Sequence, residues 1–356
     1  MKIKTSKDII ESILINAQAF LERKDPTNIT SHIYFDATNK DEVTIKATDN
    51  EIGLMVKSSE FEIVEPGIFT ANGKKLLEIV RNLKPDNIEF ETQDNNLIIK
   101  QNNATFKLPT FNYEEYPDFP TIENKNKISL DSLSLINSLK KINPAIDTNN
   151  PKFELNGALI DIKRDKTSFV GTDTKRLAVV ELEQESQNEL SLIIPKKTIT
   201  EIQKLFIDEI DIFYDQTYII IKDKQFFLFS RLINGRFPDY ERIIPKTTKH
   251  QITIPKKDMI DAMKLITTIS NEIEITIEPN LITLKSLNAP NQEAVTTIEV
   301  PVDIHEPFTF GVNSKFLFDF LAHVEKDEFI LGLNEPTLPF IVKSENFLTV
   351  IMPIIL

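Results

Sequence analysis

The sequence predicts an α+β protein of three similar domains, each with antiparallel sheets and two helices. Three observations carry that prediction. The chain repeats itself at a spacing of about 120 residues. Every repeat contains two short strands that run through a polar break into an amphipathic helix. Between the helices lie β-rich segments punctuated by turn residues, such as NNLIIKQNNATFKLP from Asn95 and TYIIIKDKQFFLFS from Thr217. Strands in runs, interrupted by only two helices per repeat, make an α+β architecture.

The openings of the repeats align first: KIKTSKDIIESILI from Lys2, KISLDSLSLINSLK from Lys127 and QITIPKKDMIDAMKLI from Gln251. Each is a strand, then a break of Ser, Thr, Pro or Asp, then a helix. In the second, Leu135, Ile136, Leu139 and Ile142 share one helical face, and Met259, Ile260, Met263 and Ile266 keep that spacing in the third. The middles align as GIFTANGKKLLEIVRNL from Gly67, LSLIIPKKTITEIQKLF from Leu190 and FTFGVNSKFLFDFLAHV from Phe308. They repeat the strand, break and helix of the openings, so each domain is itself doubled. At the ends, Phe106, Phe227 and Phe347 align. The Pro-containing segments YPDFP (Tyr116 to Pro120) and FPDYERIIP (Phe237 to Pro245) lead into linkers. The expected domains are 1–124, 125–248 and 249–356.

Composition narrows the function. A content of 41% hydrophobic and 27% charged residues is that of a globular protein, and no apolar run approaches a membrane span of about 20 residues. The start, MKIKTSKDII, lacks the apolar region of a secretory signal, and a cytoplasmic location is expected. With no Cys there is no disulfide, thiolate nucleophile or zinc–thiolate site. The His at 32, 250, 305 and 323 show no metal-ligand spacing, and Gly67 with Gly73-Lys74 misses the spacing and the hydroxyl of a phosphate loop. No catalytic residue, metal or cofactor is expected. A net charge of −13 argues against nucleic-acid binding by the whole surface, although a local basic face stays open.

One phrase occurs twice, as ATDNEIGLMV from Ala47 and GTDTKRLAVV from Gly171. A nucleophile, base or metal partner is missing around either copy. The phrase therefore reads as a tight turn between strands, with Asp accepting backbone hydrogen bonds. The third repeat has SLNAPNQEAV, without the Asp. Lys175, Arg176 and Leu177 belong to the second copy alone and are open to recruitment for binding.

Basic residues gather on the helices. Lys74, Lys75, Arg81 and Lys84 accompany the first middle helix, and Lys196, Lys197 and Lys204 the second. Lys140, Lys141, Lys256, Lys257 and Lys264 accompany the opening helices. Mostly off the apolar stripe, they face water or a polyanion. Six like half-units suggest half of a pseudo-symmetric ring, with sheets outside and helices inside. Twelve helices about 8–10 Å apart give a circumference of roughly 110 Å, and one helix width of ~10 Å taken from the diameter leaves a hole of about 25 Å. Duplex DNA fits such a hole and would be held without base reading.

LNGALI at Leu155, GTDTKRLAVV at Gly171, INGRFPDYERIIP at Ile233, SNE at Ser270, the terminal VIMPIIL and the tripled domain together resemble the beta subunit family of bacterial DNA polymerase III, the beta sliding clamps, from end to end. The resemblance implies a homodimeric ring that slides on duplex DNA without reading sequence and is placed there by a clamp loader. It also implies a cleft that takes short peptides from replicative and repair polymerases, ligase and mismatch-repair proteins.

Carried onto this chain, the cleft falls on Leu155, Thr172, Lys175, Arg176 and Leu177, then Pro238, Arg242 and Ile243, then Asn313 and Phe316, and finally Val350, Met352, Pro353, Ile354 and Leu356. Apolar residues would line it, with Arg and Thr at the rim. The implied DNA-facing residues are Arg23, Lys24, Lys74, Lys75, Arg81, Lys196, Lys197 and Lys204. The implied dimer contact sets Phe106 and Leu108 against Thr268 and Ile269 of the other chain. This chain departs from the family at Thr174-Lys175, where Gly-His is frequent, at Ile355, where a basic residue is common, and at Pro151 to Glu154, where polar and Tyr residues are usual. A peptide-binding scaffold that never touches DNA, and a hydrolase using acidic residues, are the competing readings.

Overall fold

The computed structural model describes residues 1–186 and 189–356. The first repeat runs β1 (Lys2–Ser6), α1 (Lys7–Ala17), β2 (His32–Asp36), β3 (Val43–Thr48), β4 (Ile52–Ser58), β5 (Glu62–Glu65), β6 (Ile68–Asn72), α2 (Gly73–Asn82), β7 (Asn87–Gln93), β8 (Asn96–Gln101) and β9 (Ala104–Pro109). The second runs β10 (Asn126–Ile128), α3 (Ser132–Ile142), β11 (Gly157–Ile162), β12 (Lys166–Thr172), β13 (Arg176–Glu183), β14 (Leu190–Pro195), α4 (Lys196–Leu205), β15 (Asp211–Tyr214), β16 (Tyr218–Lys222) and β17 (Phe226–Arg231). The third runs β18 (His250–Pro255), α5 (Lys256–Ile266), β19 (Glu272–Glu278), β20 (Leu281–Ser286), β21 (Val295–Glu299), β22 (Phe308–Asn313), α6 (Ser314–Leu321), β23 (Glu328–Leu333), β24 (Phe340–Ser344) and β25 (Phe347–Ile351). Apart from β5, the element order is the same three times over, as the aligned openings and middles require.

The helices form where the sequence pattern places them. Ser6 caps α1 by accepting from the Ile9 amide, and Ile10, Ile13, Leu14 and Ala17 form its buried face. Asn72 caps α2 through the Lys75 amide at 3.0 Å, with Leu76, Leu77 and Val80 buried. Leu135, Ile136, Leu139 and Ile142 of α3 are all buried. In α5 the buried set is Met259, Ala262, Met263 and Ile266, with Ile260 only partly covered. Each such Ile or Leu contributes roughly 1.5–3 kcal/mol on burial.

The chain divides into two compact units, 1–134 with 200–232 and 135–199 with 233–356. The division runs through the central repeat because its two sheets join different neighbours. In the first unit a five-stranded sheet runs β5-β1-β7-β8-β9, and an eight-stranded sheet runs β10-β15-β16-β17-β4-β3-β2-β6. The second sheet is one continuous ladder across two repeats, closed by antiparallel pairing of β17 with β4 from Phe226↔Val56 to Ser230↔Ile52. In the second unit the eight-stranded sheet runs β14-β11-β12-β13-β25-β24-β23-β18, closed by β13 with β25 from Arg176↔Ile351 to Val180↔Phe347. A four-stranded sheet, β21-β20-β19-β22, completes it.

β9, β17 and β25 are equivalent strands, as are β4, β13 and β21. Two of each set are joined inside the chain; β9 and β21 are sheet edges. Hairpin register refines the alignment of the ends. Tight loops place Ala104, Phe226 and Phe347 in matching positions, opposite Gln101, Asp223 and Ser344. Phe106 therefore matches Leu228 and Thr349, not Phe227 and Phe347.

In the first unit the YPDFP segment is pinned to its repeat. Tyr116 Oη donates to the carbonyls of His32 at 3.2 Å and Lys46 at 3.1 Å. His32 stacks on Phe111 at 4.0 Å, and burial lowers its pKa from 6.5 to about 4. The unfolded chain then binds a proton that the folded chain refuses, so stability is whole above pH 6.5 and falls as pH drops toward 4. Urea midpoints measured over this window should decline less steeply for His32→Asn than for wild type; parallel curves would remove His32 from the acid sensitivity.

Candidate functional site

The duplicated phrase is the same turn in both copies. Asp173 Oδ1 accepts from the amides of Lys175 at 3.0 Å and Arg176 at 2.9 Å. Asp49 Oδ1 accepts from Glu51 and Ile52, both at 3.0 Å. Thr172 Oγ1 donates to the Arg176 carbonyl and accepts from the Thr174 amide, as Thr48 does with Ile52 and Asn50. The residue after Asp is left-handed in each, Asn50 at φ 73° and Thr174 at φ 71°.

The second copy walls an apolar cavity of about 240 Å³. Its floor is cut from the core of the second unit: Leu155, Leu177 and Val350 are at most 3% exposed and pack with Phe237 and Tyr240. Its mouth is looser, with Ile243 46% and Met352 45% exposed. A fixed floor costs a ligand no ordering of the protein, and a flexible thioether at the mouth adapts to varied side chains.

Of the sequence-derived cleft residues, Leu155, Thr172, Arg176, Leu177, Pro238, Ile243, Val350 and Met352 line this cavity. Lys175, Arg242, Asn313, Phe316, Pro353, Ile354 and Leu356 do not. The tail passes beyond it. The Met352 amide donates to the Lys175 carbonyl at 2.9 Å, and the Ile354 amide to the Gly311 carbonyl at 2.8 Å. A Cβ on Gly311 would lie 3.0 Å from the Ile354 carbonyl and from Leu356 Cδ2, so glycine lets the tail lie against β22. Asn313 caps α6 through the Lys315 amide at 3.0 Å. Arg242 pairs with Asp239 at 2.8 Å instead of facing the cavity.

The expected polar rim is turned inward. The Thr172 hydroxyl is used up in its own turn. The Arg176 guanidinium, 4% exposed, donates from Nε to Asp173 at 3.1 Å, from Nη1 to Asp319 at 2.6 Å and from Nη2 to the Pro144 carbonyl. It also lies over the Phe316 ring at 4.6 Å. Arg176 thus braces the cavity wall against α6 and the end of α3. Four lining residues were not among the sequence-derived cleft residues: Lys152 and Thr174, which fall where the chain departs from the family, and Phe237 and Tyr240. Phe237 and Tyr240 stood in the FPDY motif. Tyr240 Oη donates to Asp161 at 3.2 Å, and burial first of all pushes its phenol up to about 12.

Among the basic residues, Arg23, Lys24, Lys74, Lys75 and Arg81 are exposed in the first unit, as is Lys204. Lys75 pairs with Glu78 at 3.0 Å, Lys204 with Glu201 at 2.8 Å, and Arg81 reaches Glu11 at 3.8 Å. The Lys75–Glu78 pair is exposed on both sides and worth about 0–1 kcal/mol, whereas Glu201 is buried beneath Lys204. Lys197 is exposed in the second unit. Lys196 is not a free cation: Nζ donates to the Ile146 carbonyl just past α3, and burial lowers its pKa. Lys7 does the same for the end of α2, at 3.0 Å to the Arg81 carbonyl and 2.7 Å to Leu83, and Lys256 does it for the Val324 carbonyl past α6 at 2.6 Å. A lysine opening one helix of each repeat thus caps the carbonyl end of another. Among the described residues no His, Asp and Glu cluster could hold a metal ion, and no helix is long and apolar enough to cross a membrane.

The family descriptions that match are the DNA polymerase III beta subunit N-terminal domain over residues 1–120, its central domain over 129–239 and its C-terminal domain over 241–355. A curated relative from Helicobacter pylori strain 26695, "Beta sliding clamp", is 38% identical over 357 residues, covering 97% of this chain and 94% of the relative. The H. pylori beta clamp bound to a DNA ligase peptide superimposes with a TM-score of 0.94 at 37% identity over all of both chains. The DNA polymerase III subunit beta of Pseudomonas aeruginosa shares the fold at a TM-score of 0.90 and 22% identity.

Thr174 is a β-branched residue in left-handed backbone, a conformation that costs a non-glycine residue about 1–2 kcal/mol. Thr174→Asn, the residue of the first copy, should raise stability by about 1 kcal/mol in a urea titration. An unchanged or lower midpoint would show that the turn carries no such strain.

Proposed function

Because the chain belongs to the DNA polymerase III beta subunit family, the sliding clamps, we propose that it is a processivity factor: two copies close into a ring around duplex DNA, and each offers its apolar cavity to short peptides of other replication and repair proteins. The observation that supports ring closure is the arrangement of edges. Strands equivalent to β9 join strands equivalent to β21 twice within the chain, and β9 and β21 remain as edges. A bare edge invites a third strand of the same kind. The head-to-tail pairing of β9 with β21 of a second copy satisfies both ends at once and repeats a contact the chain already makes.

Phe106 and Leu108 sit on the half-buried face of β9. Thr268 and Ile269 follow α5, which packs against β21; Leu265 of α5 is 61% and Val295 of β21 55% exposed. Phe106, Leu108, Leu265, Ile269 and Val295 are apolar anchors for the dimer contact. The duplicated domains are 1–124, 125–248 and 249–356.

DNA is held through phosphates by Arg23, Lys24, Lys74, Lys75, Arg81, Lys197 and Lys204, without base readout. The net charge of −13 repels DNA from the remaining surface. The work is tethering, without catalysis, in the cytoplasm. Its partners are a clamp loader, replicative and repair polymerases, ligase and mismatch-repair proteins. A DNA ligase peptide on the H. pylori relative is the nearest support for the peptide cavity.

Light scattering should give about twice the chain mass of 40.8 kDa, and Phe106→Glu with Leu108→Glu should halve it. Loaded protein should stay on circular DNA and leave linear DNA through its ends; equal retention on both would contradict a topological link. Removing Met352 to Leu356 leaves β25 whole, so dimer mass should persist while peptide affinity falls about ten-fold or more. Loss of both would make the tail a structural element instead.

A further inference from the structure

A second cavity of about 290 Å³ lies beside the apolar one, and the two share Phe237, Pro238 and Tyr240 as a common wall. Its chemistry is different. Asp161, Lys163, Arg236, Asp239 and Glu241 all line it.

Nearly all of these charges are committed. Asp161 accepts from Ser191 Oγ at 2.7 Å and from Tyr240 Oη at 3.2 Å. Lys163 Nζ lies 2.7 Å from Glu241 and 3.5 Å from Asp161, and Lys166 Nζ lies 3.6 Å from Glu241. Asp239 pairs with Arg242. Arg236 is exposed and has no ion-pair partner among the described residues. It follows Gly235, whose φ of 153° other residues rarely adopt.

A carboxylate entering this cavity meets an unpaired guanidinium, which offers a bidentate, charge-assisted contact. An ammonium meets only carboxylates that already have a cation beside them. The net charge of −13 opposes an acidic ligand at a distance, but that repulsion is screened beyond about 10 Å at 0.1 M salt. Contact with Arg236 acts at hydrogen-bond range and decides the preference.

We propose that a partner peptide extends past the apolar cavity over the Phe237–Tyr240 wall, and that Arg236 takes a carboxylate from its flank. This rests on the peptide reading of the first cavity and adds a specificity-determining residue to it. The flank, not the apolar anchor, then sets which partners are favoured, and Pro238 and Tyr240 contact both parts.

The test uses the intact protein and labelled peptides with one apolar anchor and neutral, Glu-containing or Lys-containing flanks on both sides, titrated by fluorescence polarisation. The Glu flanks should tighten binding to wild type about three- to ten-fold over the neutral ones, the scale of one ordinary hydrogen bond at a solvent-exposed site. Arg236→Gln should erase that gain while leaving the neutral peptide unchanged. Arg236→Glu should reverse it in favour of the Lys flanks. Equal binding of neutral and Glu peptides by wild type, or a Glu gain that survives Arg236→Gln, overturns the second cavity alone. A neutral anchor peptide that does not bind wild type at all overturns the first cavity's reading and this proposal together.

Discussion

An antiparallel sheet carries unpaired backbone donors and acceptors along each edge, and that constraint organises this protein. Each repeat makes two antiparallel arrays, of four strands each except for the five of β5-β1-β7-β8-β9, and each array leaves edges. The chain closes four of these edges in two pairs, β17 on β4 and β25 on β13, and so welds successive repeats into eight-stranded sheets. Those welds explain why the compact units cut through the central repeat. Continuous hydrogen-bonded ladders hold strands of different repeats together more firmly than the linkers that follow one another in sequence.

The apolar cavity is a by-product of one weld. β13 begins at Arg176, where the Thr-Asp turn ends, and pairs with β25, which ends at Ile351 just before Met352. Turn and tail therefore meet at the same end of the same strand pair. In the first repeat the same turn precedes β4, whose partner β17 runs on from Arg231 into a linker with no tail to complete a wall. Duplication supplied the turn; only its second copy received a tail.

Arg176 makes the wall rigid. Two carboxylates, a carbonyl and an aromatic ring surround one guanidinium that is almost wholly buried. A buried cation with that many partners is costly to unpair. It braces the cavity wall through these contacts. The lysines at helix starts follow the same logic. Lys7, Lys196 and Lys256 end on backbone carbonyls near helix ends, where the helix dipole favours a cation.

The threefold repeat, the buried helix faces such as Leu135, Ile136, Leu139 and Ile142, and the Asp49 and Asp173 turns could be read from residues alone. They rest on contacts a few residues apart, and local spacing encodes such contacts directly. The resemblance to clamps placed Leu155, Leu177, Val350 and Met352 in one cleft, and the fold brings them together. Tertiary structure decided the rest. Whether Arg176 and Lys196 face outward depends on Asp319, Pro144 and Ile146, which no periodicity relates to them. That Arg236 stands unpaired depends on acids such as Asp161 and Glu241, whose partners Tyr240 and Lys163 lie about eighty positions away. Which strand edges meet depends on sheets assembled from residues more than a hundred positions apart, and a one-dimensional pattern carries no record of that pairing.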